Sequence, residues 1–479
     1  MPGTKPRHLG AVLALLAFAQ MIIAIDYNIV FVSLPEIGRD LGFSAQNLQW
    51  VVSAYAVAFG GFLLLGGRAT DLYGRKSMFI LGMFLYAASS LAGGLADEPW
   101  LLIAARAVQG LGGAFLAPAT LSLVTTLFAE GAERNRALAV WGGAGGSGMV
   151  LGSILGGLLT EAFGWSAVFY VNVLLAGIGL IAAFWLLPKT QRSATGGFDV
   201  LGALSGTAAC TLLVFGLVQG PEKGWGAPVV LWSLLIAAVL FVIFTVAEAK
   251  VTSPLVPLRL FHNRNLSTGT VITFLFMATF GALAYFLTQL WQVVQGYSAW
   301  ATGFAFVVPS GCVLIGTILG GKAATKLGTR NTLFLSLTLG VLGTIALALV
   351  IGADRPYAVL VAPLVVLSIG QGMVFTTMFA AASTGVPAED QGIGGGIATT
   401  GQQIGGAVGL AVLIALAAAF HGTGTDTDPQ QLMDGIKAAT WAIAAGIGLT
   451  FLAALNLRNA PAATAITSDS DRDLTDSRT

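Results

Sequence analysis

The sequence predicts an all-α integral membrane protein with fourteen transmembrane helices, and three observations support this fold class. Of the 479 residues, 56% are hydrophobic and only 9% are charged, whereas soluble domains carry roughly 25% charged residues. Stretches of about twenty mostly apolar residues, the length that crosses a bilayer, recur along nearly the whole chain. Lysines and arginines between these stretches fall on alternate sides, as expected for a chain that crosses the membrane repeatedly.

The predicted spans follow one another with short connections. They are residues 10–34, 47–66, 77–95, 100–128, 138–160, 166–187, 200–219, 227–247, 266–291, 301–320, 332–352, 356–383, 391–419 and 437–456. The first apolar run begins after Lys5 and Arg7 and continues to Val32, which is too long for a signal-peptide core. We therefore expect a first membrane helix there and not a cleaved leader.

Charge placement sets the predicted orientation. If the N-terminus is cytoplasmic, 18 of the 23 lysines and arginines fall in cytoplasmic segments. Four fall in outer segments, Arg39, Lys223, Arg355 and Lys437, and Arg106 lies within a span. Positive charges concentrate on the cytoplasmic side of membrane proteins, so both termini are predicted to be cytoplasmic and the chain to lie in the cell (inner or plasma) membrane.

Composition also argues against several functions. The net charge of +1 argues against a nucleic-acid partner. The three histidines lie outside the spans, and Cys210 and Cys312 lie inside separate ones. We therefore expect no metal site, no cofactor and no enzymatic centre, although an integral-membrane enzyme remains a minor alternative. The polar tail 460–479 is expected to be disordered.

Only two of the 45 formally charged residues lie well inside a predicted span, Asp26 and Arg106. Asp26 is eight residues before Leu34 and Arg106 six after Trp100, which places them ~12 Å and ~9 Å below the outer surface at 1.5 Å per residue. Ionisable groups are costly within a bilayer and usually mark a pathway or a relay. We predict that both face one cavity and couple transport to proton binding at Asp26. The alternative is a static ion pair that fixes the first span against the fourth.

Several polar and aromatic side chains lie near these charges or in other spans. Such groups suit a cavity for amphipathic or aromatic molecules, although hydrogen bonding between helices or anchoring at the interface would equally account for them. The predicted substrate-cavity residues are Gln20, Tyr27, Asn28, Gln109, Tyr285, Gln289, Trp291, Gln292 and Gln371.

The segment after the second span, from Gly67 to Lys76, reads G-R-A-T-D-L-Y-G-R-K. It resembles the signature G-x-L-A-D-R-x-G-R-K of the major facilitator superfamily. In that family the loop helps to hold the cytoplasmic face shut, so the resemblance assigns a gate to Gly67, Asp71, Gly74, Arg75 and Lys76. A degenerate copy without the acid, residues 321–330, follows the tenth span, as an internal repeat would place it.

Further motifs resemble the fourteen-helix drug:proton antiporters of this superfamily. Ile25 to Pro35 is similar to L-D-x-T-I-V-N-V-A-L-P, and Arg106 to Gly110 is similar to R-x-x-Q-G. The fifth span is similar to the antiporter motif G-x8-G-P-x-x-G-G, with Ser153 in place of the proline. The corresponding positions in this chain are Gly143, Gly152, Ser153, Gly156 and Gly157. The serine at the proline position puts strict antiport in question.

The resemblance implies a major facilitator fold: one six-helix bundle in residues 1–190, two inserted helices in 191–250, and a second bundle in 251–459. It further implies alternating access, export of a hydrophobic or amphipathic small molecule such as an antibiotic, a proton gradient as the energy source, and a monomer. An importer of a small metabolite on the same fold is the alternative function.

Overall fold

The computed structural model describes residues 8–128, 132–188, 199–251, 254, 256, 258–386, 391–420 and 429–458. The predicted tail 460–479 lies outside these residues. Long helices dominate, and two spans, 264–294 and 299–327, each join more than one helical segment. The spans are α1 Leu9–Asp40, α2 Trp50–Tyr73, α3 Arg75–Gly94, α4 Pro99–Leu127, α5 Ala132–Phe163, α6 Ala167–Leu186, α7 Val200–Lys223, α8 Pro228–Lys250, α9 Arg264–Val294, α10 Ala299–Leu327, α11 Thr329–Val350, α12 Tyr357–Ser383, α13 Gln391–Ala418 and α14 Pro429–Ala454.

These helices match the fourteen predicted spans one for one. Thirteen of them are long and apolar enough to cross a membrane, counted over the residues that the structure describes. The remaining one, α2, is a 24-residue helix with a shorter apolar stretch at Trp50–Leu63. Most helices extend past the predicted ends because polar and glycine residues continue the helix beyond the apolar core.

The helices pack into two groups. In the first, α1 packs on α5, α2 on α4, and α3 on both α4 and α6. In the second, α12 packs on α10 and α11, α9 on α13, and α11 on α14. The pair α7 and α8 pack on each other, and α7 also contacts α2 and α13. We call the helices α1–α6 the first bundle and α9–α14 the second bundle.

The outer surface is apolar, as a lipid-facing surface must be. Trp185 is 85% exposed, and Leu174 and Val242 are each 63% exposed. Large apolar side chains at such exposure would be unfavourable in water, but they are compatible with acyl chains. The helices therefore present their hydrophobic side chains both to the packing core and to the bilayer.

The helices begin and end at two opposite ends of the molecule. We call the end that contains Leu9, Arg75 and Ala454 the terminal face, and the opposite end, which contains Asp40, Phe163 and Ala299, the distal face.

The helix α9 departs from regular geometry in two π-helical segments, Met277–Gly281 and Gln289–Val294. Such segments often occur at functional sites, and the first of these lies against the first bundle.

Candidate functional site

The two charged residues inside the membrane helices form an ion pair. Arg106 Nη1 donates to Asp26 Oδ2 at 2.7 Å. The side chain of Asp26 is fully buried and that of Arg106 is 2% exposed. The sequence predicted matching depths for these residues, and the structure brings them into direct contact between α1 and α4.

Amide side chains complete the environment of the Asp26 carboxylate. Its Oδ1 accepts hydrogen bonds from Gln109 Nε2 at 2.9 Å and from Asn172 Nδ2 at 2.8 Å. Gln109 Nε2 also donates to Ser90 Oγ at 2.9 Å, which ties α3 to the same cluster. An ionised carboxylate accepts hydrogen bonds only, so these donors suit the negatively charged form of Asp26.

Arg106 has further partners besides Asp26. Its Nε donates to the carbonyl oxygen of Val51 at 2.8 Å, and its Nη1 donates to Gln109 Oε1 at 2.6 Å. The guanidinium carbon lies 4.5 Å from the centre of the Tyr55 ring, in cation–π geometry. A buried charge is tolerated when it is paired and hydrogen-bonded, and this cluster provides both. Among the described residues, no three His, Cys, Asp or Glu side chains gather as a metal site.

The pair lies in the interior of the first bundle, where its partners come from α2, α4 and α6. We predicted that Asp26 and Arg106 face one cavity between the bundles, and in this conformation they do not line it. The reason is that the two residues lie on different faces of α1. Asp26 points toward α4 and α6, while the next residue, Tyr27, points toward the second bundle.

Tyr27 lies at the interface between the bundles. Its hydroxyl lies 3.7 Å from Met277 Sδ, in the first π-helical segment of α9. A cavity of about 10 Å³ beside it is lined by residues of α1, α2, α9 and α13, among them Phe31 and Gln403. This volume is near the minimum for one water molecule, so the bundles must separate here before a larger molecule can bind.

The other predicted cavity residues are dispersed. Asn28 donates to the Met149 carbonyl and to Ser153 Oγ on α5. Gln20 lies beside Gly145 of α5. Tyr285 is buried and forms a side-chain hydrogen bond with Gln289. Gln371 is half-buried on α12. Trp291 is fully buried between Phe306 and Tyr357, inside the second bundle.

Among the described residues, hydrogen bonds join the bundles near the distal face. Gln292 Nε2 donates to the Val32 carbonyl at 2.7 Å. The backbone N–H of Trp300, in the first turn of α10, donates to Glu161 Oε2 on α5 at 2.9 Å. A carboxylate at a helix N-terminus is favoured because it accepts an unpaired N–H and meets the positive end of the helix dipole. These contacts join the two bundles at this end, and we call this arrangement the closed distal face.

The glycines of the fifth-span motif allow close contact with two other helices. A Cβ at Gly152 would lie 2.5 Å from the Ile25 carbonyl oxygen, and one at Gly156 would lie 2.7 Å from that of Ile29. A Cβ at Gly157 would lie 2.5 Å from the Ala299 carbonyl oxygen on α10. By contrast, a Cβ at Gly143 would have no neighbour within 4 Å.

The predicted gate residues lie at the turn between α2 and α3. Gly74 has φ +93°, a conformation that favours glycine, and it sits between the two helices. Arg75 Nε donates to Ser122 Oγ on α4 at 2.8 Å, and Lys76 Nζ donates to the Leu187 carbonyl at 2.6 Å. These bonds stay within the first bundle. The side chain of Asp71 is outside the described residues, and Gly67 lies near Pro118.

The side chains that take part in these contacts but were absent from the predicted site include Ser90, Tyr55, Glu161 and Asn172. Asn172 carries a recognisable signal, because it is an amide in the middle of the apolar stretch 166–187. Glu161 lies just past the predicted end of the fifth span, where an acid looks like an ordinary loop residue. Its contact with α10 depends on tertiary packing that the local sequence does not encode.

Comparison with known proteins agrees with this architecture. The chain is 36% identical over 427 residues to a cephamycin export protein of Amycolatopsis lactamdurans, covering 88% of this chain and 86% of that one. It is 33% identical over 461 residues to a puromycin resistance protein of Streptomyces alboniger, covering 95% and 91%. It is 33% identical over 429 residues to a lincomycin resistance protein of Streptomyces lincolnensis, covering 89% and 88%.

Solved structures show the same fold at lower sequence identity. A peptide transporter of the POT family in an auto-inhibited state superposes with a TM-score of 0.67 at 17% identity, over 94% of this chain and 96% of that one. The family model described as Major Facilitator Superfamily matches residues 16–410. Family and relatives both indicate transport and not enzymatic catalysis. The all-helical fold and the match over most of the chain show that this protein belongs to the major facilitator superfamily.

Proposed function

We propose that this protein exports hydrophobic or amphipathic small molecules, of the antibiotic class, in exchange for protons by alternating access. The observation that carries the proposal is the fully buried Asp26–Arg106 pair, with Tyr27 beside it on the same helix and directed at the bundle interface. The names of the relatives, which include exporters and resistance proteins, support the direction and the substrate class.

The terminal face is assigned to the cytoplasm. By sequence, 18 of the 23 lysines and arginines fall in segments predicted to lie on that side, and positive charge concentrates on the cytoplasmic side of membrane proteins. The closed distal face, where Gln292 and Glu161 join the bundles, then faces the outside. On this assignment, the conformation described here is the one that receives substrate from the cytoplasm or the inner leaflet.

Asp26 is proposed as the proton acceptor. A proton on its carboxylate replaces an acceptor by a hydroxyl donor and removes the charge that neutralises Arg106. The hydrogen bonds that fix α1 to α4 and α6 must then rearrange. Because Tyr27 follows Asp26 directly on α1, a shift of this helix moves Tyr27 at the bundle interface without a change in any other helix.

Alternating access requires that the distal contacts break while contacts at the terminal face form. In the proposed cycle the bundles spanning 1–190 and 251–459 rock about the mid-depth contacts, such as that of Gly60 with Gln403. Residues 191–250 contribute α7 and α8 as an inserted pair. The gate residues Asp71 and Arg75 are proposed to close the terminal face in the opposite state, and the protein is expected to work as a monomer.

The test is a susceptibility panel in cells that carry the wild-type chain, Asp26→Asn, or no transporter, with puromycin, lincomycin and a cephamycin as probes. Asp354→Asn, at an exposed distal loop, is the matched control. Resistance to at least one probe is expected with the wild type and the control and is expected to be lost with Asp26→Asn. Increased sensitivity with the wild type would indicate uptake and would overturn export.

A further inference from the structure

An open groove of about 670 Å³ lies on the side of the second bundle, away from the ion pair and the bundle interface. Its walls are apolar and come from three helices: Leu319 and Ala323 of α10, Leu335 and Leu339 of α11, and Met373 of α12. Leu319 and Leu335 are 42% and 44% exposed. Because exposed apolar side chains on this fold face lipid, the groove opens sideways into the bilayer.

Two lysines lie at one end of this groove. Lys322 and Lys326 both line it, both are exposed, and they are four residues apart on α10. Side chains at this spacing share one helix face. Among the described residues, neither lysine forms an ion pair or a side-chain hydrogen bond, and the lining contains no acidic residue. The groove therefore combines an apolar wall with two uncompensated positive charges.

The lysines and the apolar wall lie at depths that suit the polar headgroup and the acyl chain of an amphiphile. Lys326 is one residue from the end of α10 at Leu327, on the terminal face. Leu319 is seven residues earlier, ~10 Å deeper at 1.5 Å per residue. Lys326 thus lies at headgroup level, Lys322 lies ~6 Å deeper, and the apolar wall continues from there to the level of the acyl chains.

We propose that this groove is a binding site for one anionic phospholipid, with its phosphate between Lys322 and Lys326 and an acyl chain along α10, α11 and α12. Charge complementarity selects an anionic headgroup, because a zwitterionic lipid would place its own cation beside the lysines. The apolar walls select a lipid over free phosphate. The site is independent of the proposed proton coupling and of the direction of transport.

The experiment is native mass spectrometry of the purified full-length protein, titrated with phosphatidylglycerol or phosphatidylethanolamine that carry the same acyl chains. The wild type is expected to bind its first phosphatidylglycerol about tenfold more tightly than phosphatidylethanolamine, since each lysine near an anionic lipid contributes attraction. Lys322→Gln with Lys326→Gln is expected to abolish this preference. Ala323→Phe, which fills the groove and keeps both lysines, is expected to remove the first tight lipid.

The matched control is Lys250→Gln with Arg458→Gln, which removes two exposed charges near the same face but outside the groove. The control is expected to retain the preference. An equal loss in the control would show diffuse surface attraction and overturn the site, as would an unchanged preference without Lys322 and Lys326. Melting curves identify a variant that fails to fold, and should Ala323→Phe do so, the double lysine variant decides the outcome alone.

Discussion

Asp26 and Tyr27 are consecutive in the chain, yet their side chains belong to two different environments. The Asp26 carboxylate is enclosed in the first bundle, 2.7 Å from Arg106 Nη1, while the Tyr27 hydroxyl reaches Met277 of the second bundle. One helix thus carries both the charge that is proposed to titrate and a side chain at the interface along which the bundles are proposed to move.

Removal of Arg106 alone is expected to destabilise the protein. Arg106→Ala leaves Asp26 buried without its ionic partner, and breaking one member of a buried pair typically costs about 3–5 kcal/mol. The double variant Asp26→Asn with Arg106→Gln removes both charges together and is expected to unfold at a temperature closer to that of the wild type. Thermal unfolding in detergent measures this order. Arg355→Ala, at an exposed distal position, is the control, and equal melting of the single and double variants would refute the pairing argument.

Tyr27 is expected to influence which compounds are transported. Tyr27→Ala enlarges the small cavity between the bundles, so the pattern of resistance across a panel of compounds should change while transport itself persists. Tyr27→Phe keeps the ring and removes only the weak contact with Met277, and it should resemble the wild type. Minimum inhibitory concentrations for each compound provide the measurement. A uniform loss of resistance with both variants would assign Tyr27 a structural role instead.

The depth of the charged pair was predictable from sequence, whereas its surroundings were not. An acid and a base stand out in apolar spans, and the rise of a helix gives their depth. Which face of α1 each residue occupies depends on how α1 packs, and 3.6 residues per turn puts neighbours about 100° apart. The prediction placed Asp26 beside the cavity, but packing against α4 and α6 turns it inward and leaves Tyr27 at the interface.

Glu161 is expected to stabilise the closed distal face. Glu161→Gln keeps the side-chain shape but removes the charge that faces the first turn of α10, so the distal face should open more often. The readout is the labelling rate of Val32→Cys, in a background without Cys210 and Cys312, by a membrane-impermeant maleimide. Val32 is buried beneath this closure, and a several-fold faster reaction is expected. Glu98→Gln, an exposed acid on the same face, should leave the rate unchanged. A rate equal to that of the wild type would contradict the assignment.

Gly156 is expected to tolerate no side chain. A Cβ there would lie 2.7 Å from the Ile29 carbonyl oxygen, so Gly156→Ala must push α5 away from α1, and overpacking of this kind costs about 1–3 kcal/mol. The variant should melt at a lower temperature and transport poorly. Gly143→Ala introduces the same change on the same helix where nothing lies within 4 Å, and it should behave as the wild type. Equal effects at both positions would indicate loss of helix flexibility and not steric contact.

The helix count was also predictable, because span length and charge alternation are local properties of the sequence. The contacts of the fifth-span glycines with α1 and α10 were foreseen only as close packing, without partners. The partners follow from the arrangement of the bundles, which no single span encodes. The same limit explains why Trp291, predicted as a cavity residue, lies packed between Phe306 and Tyr357.

The most direct test of the central claim follows proton movement in proteoliposomes that contain an internal pH-sensitive dye. The transported compound identified in the susceptibility panel is added to wild-type vesicles, to Asp26→Asn vesicles and to the Asp354→Asn control. If Asp26 takes the proton, compound-dependent proton movement occurs with the wild type and the control and is absent with Asp26→Asn, while binding of the compound persists. Proton movement of normal size with Asp26→Asn would contradict the role assigned to this carboxylate.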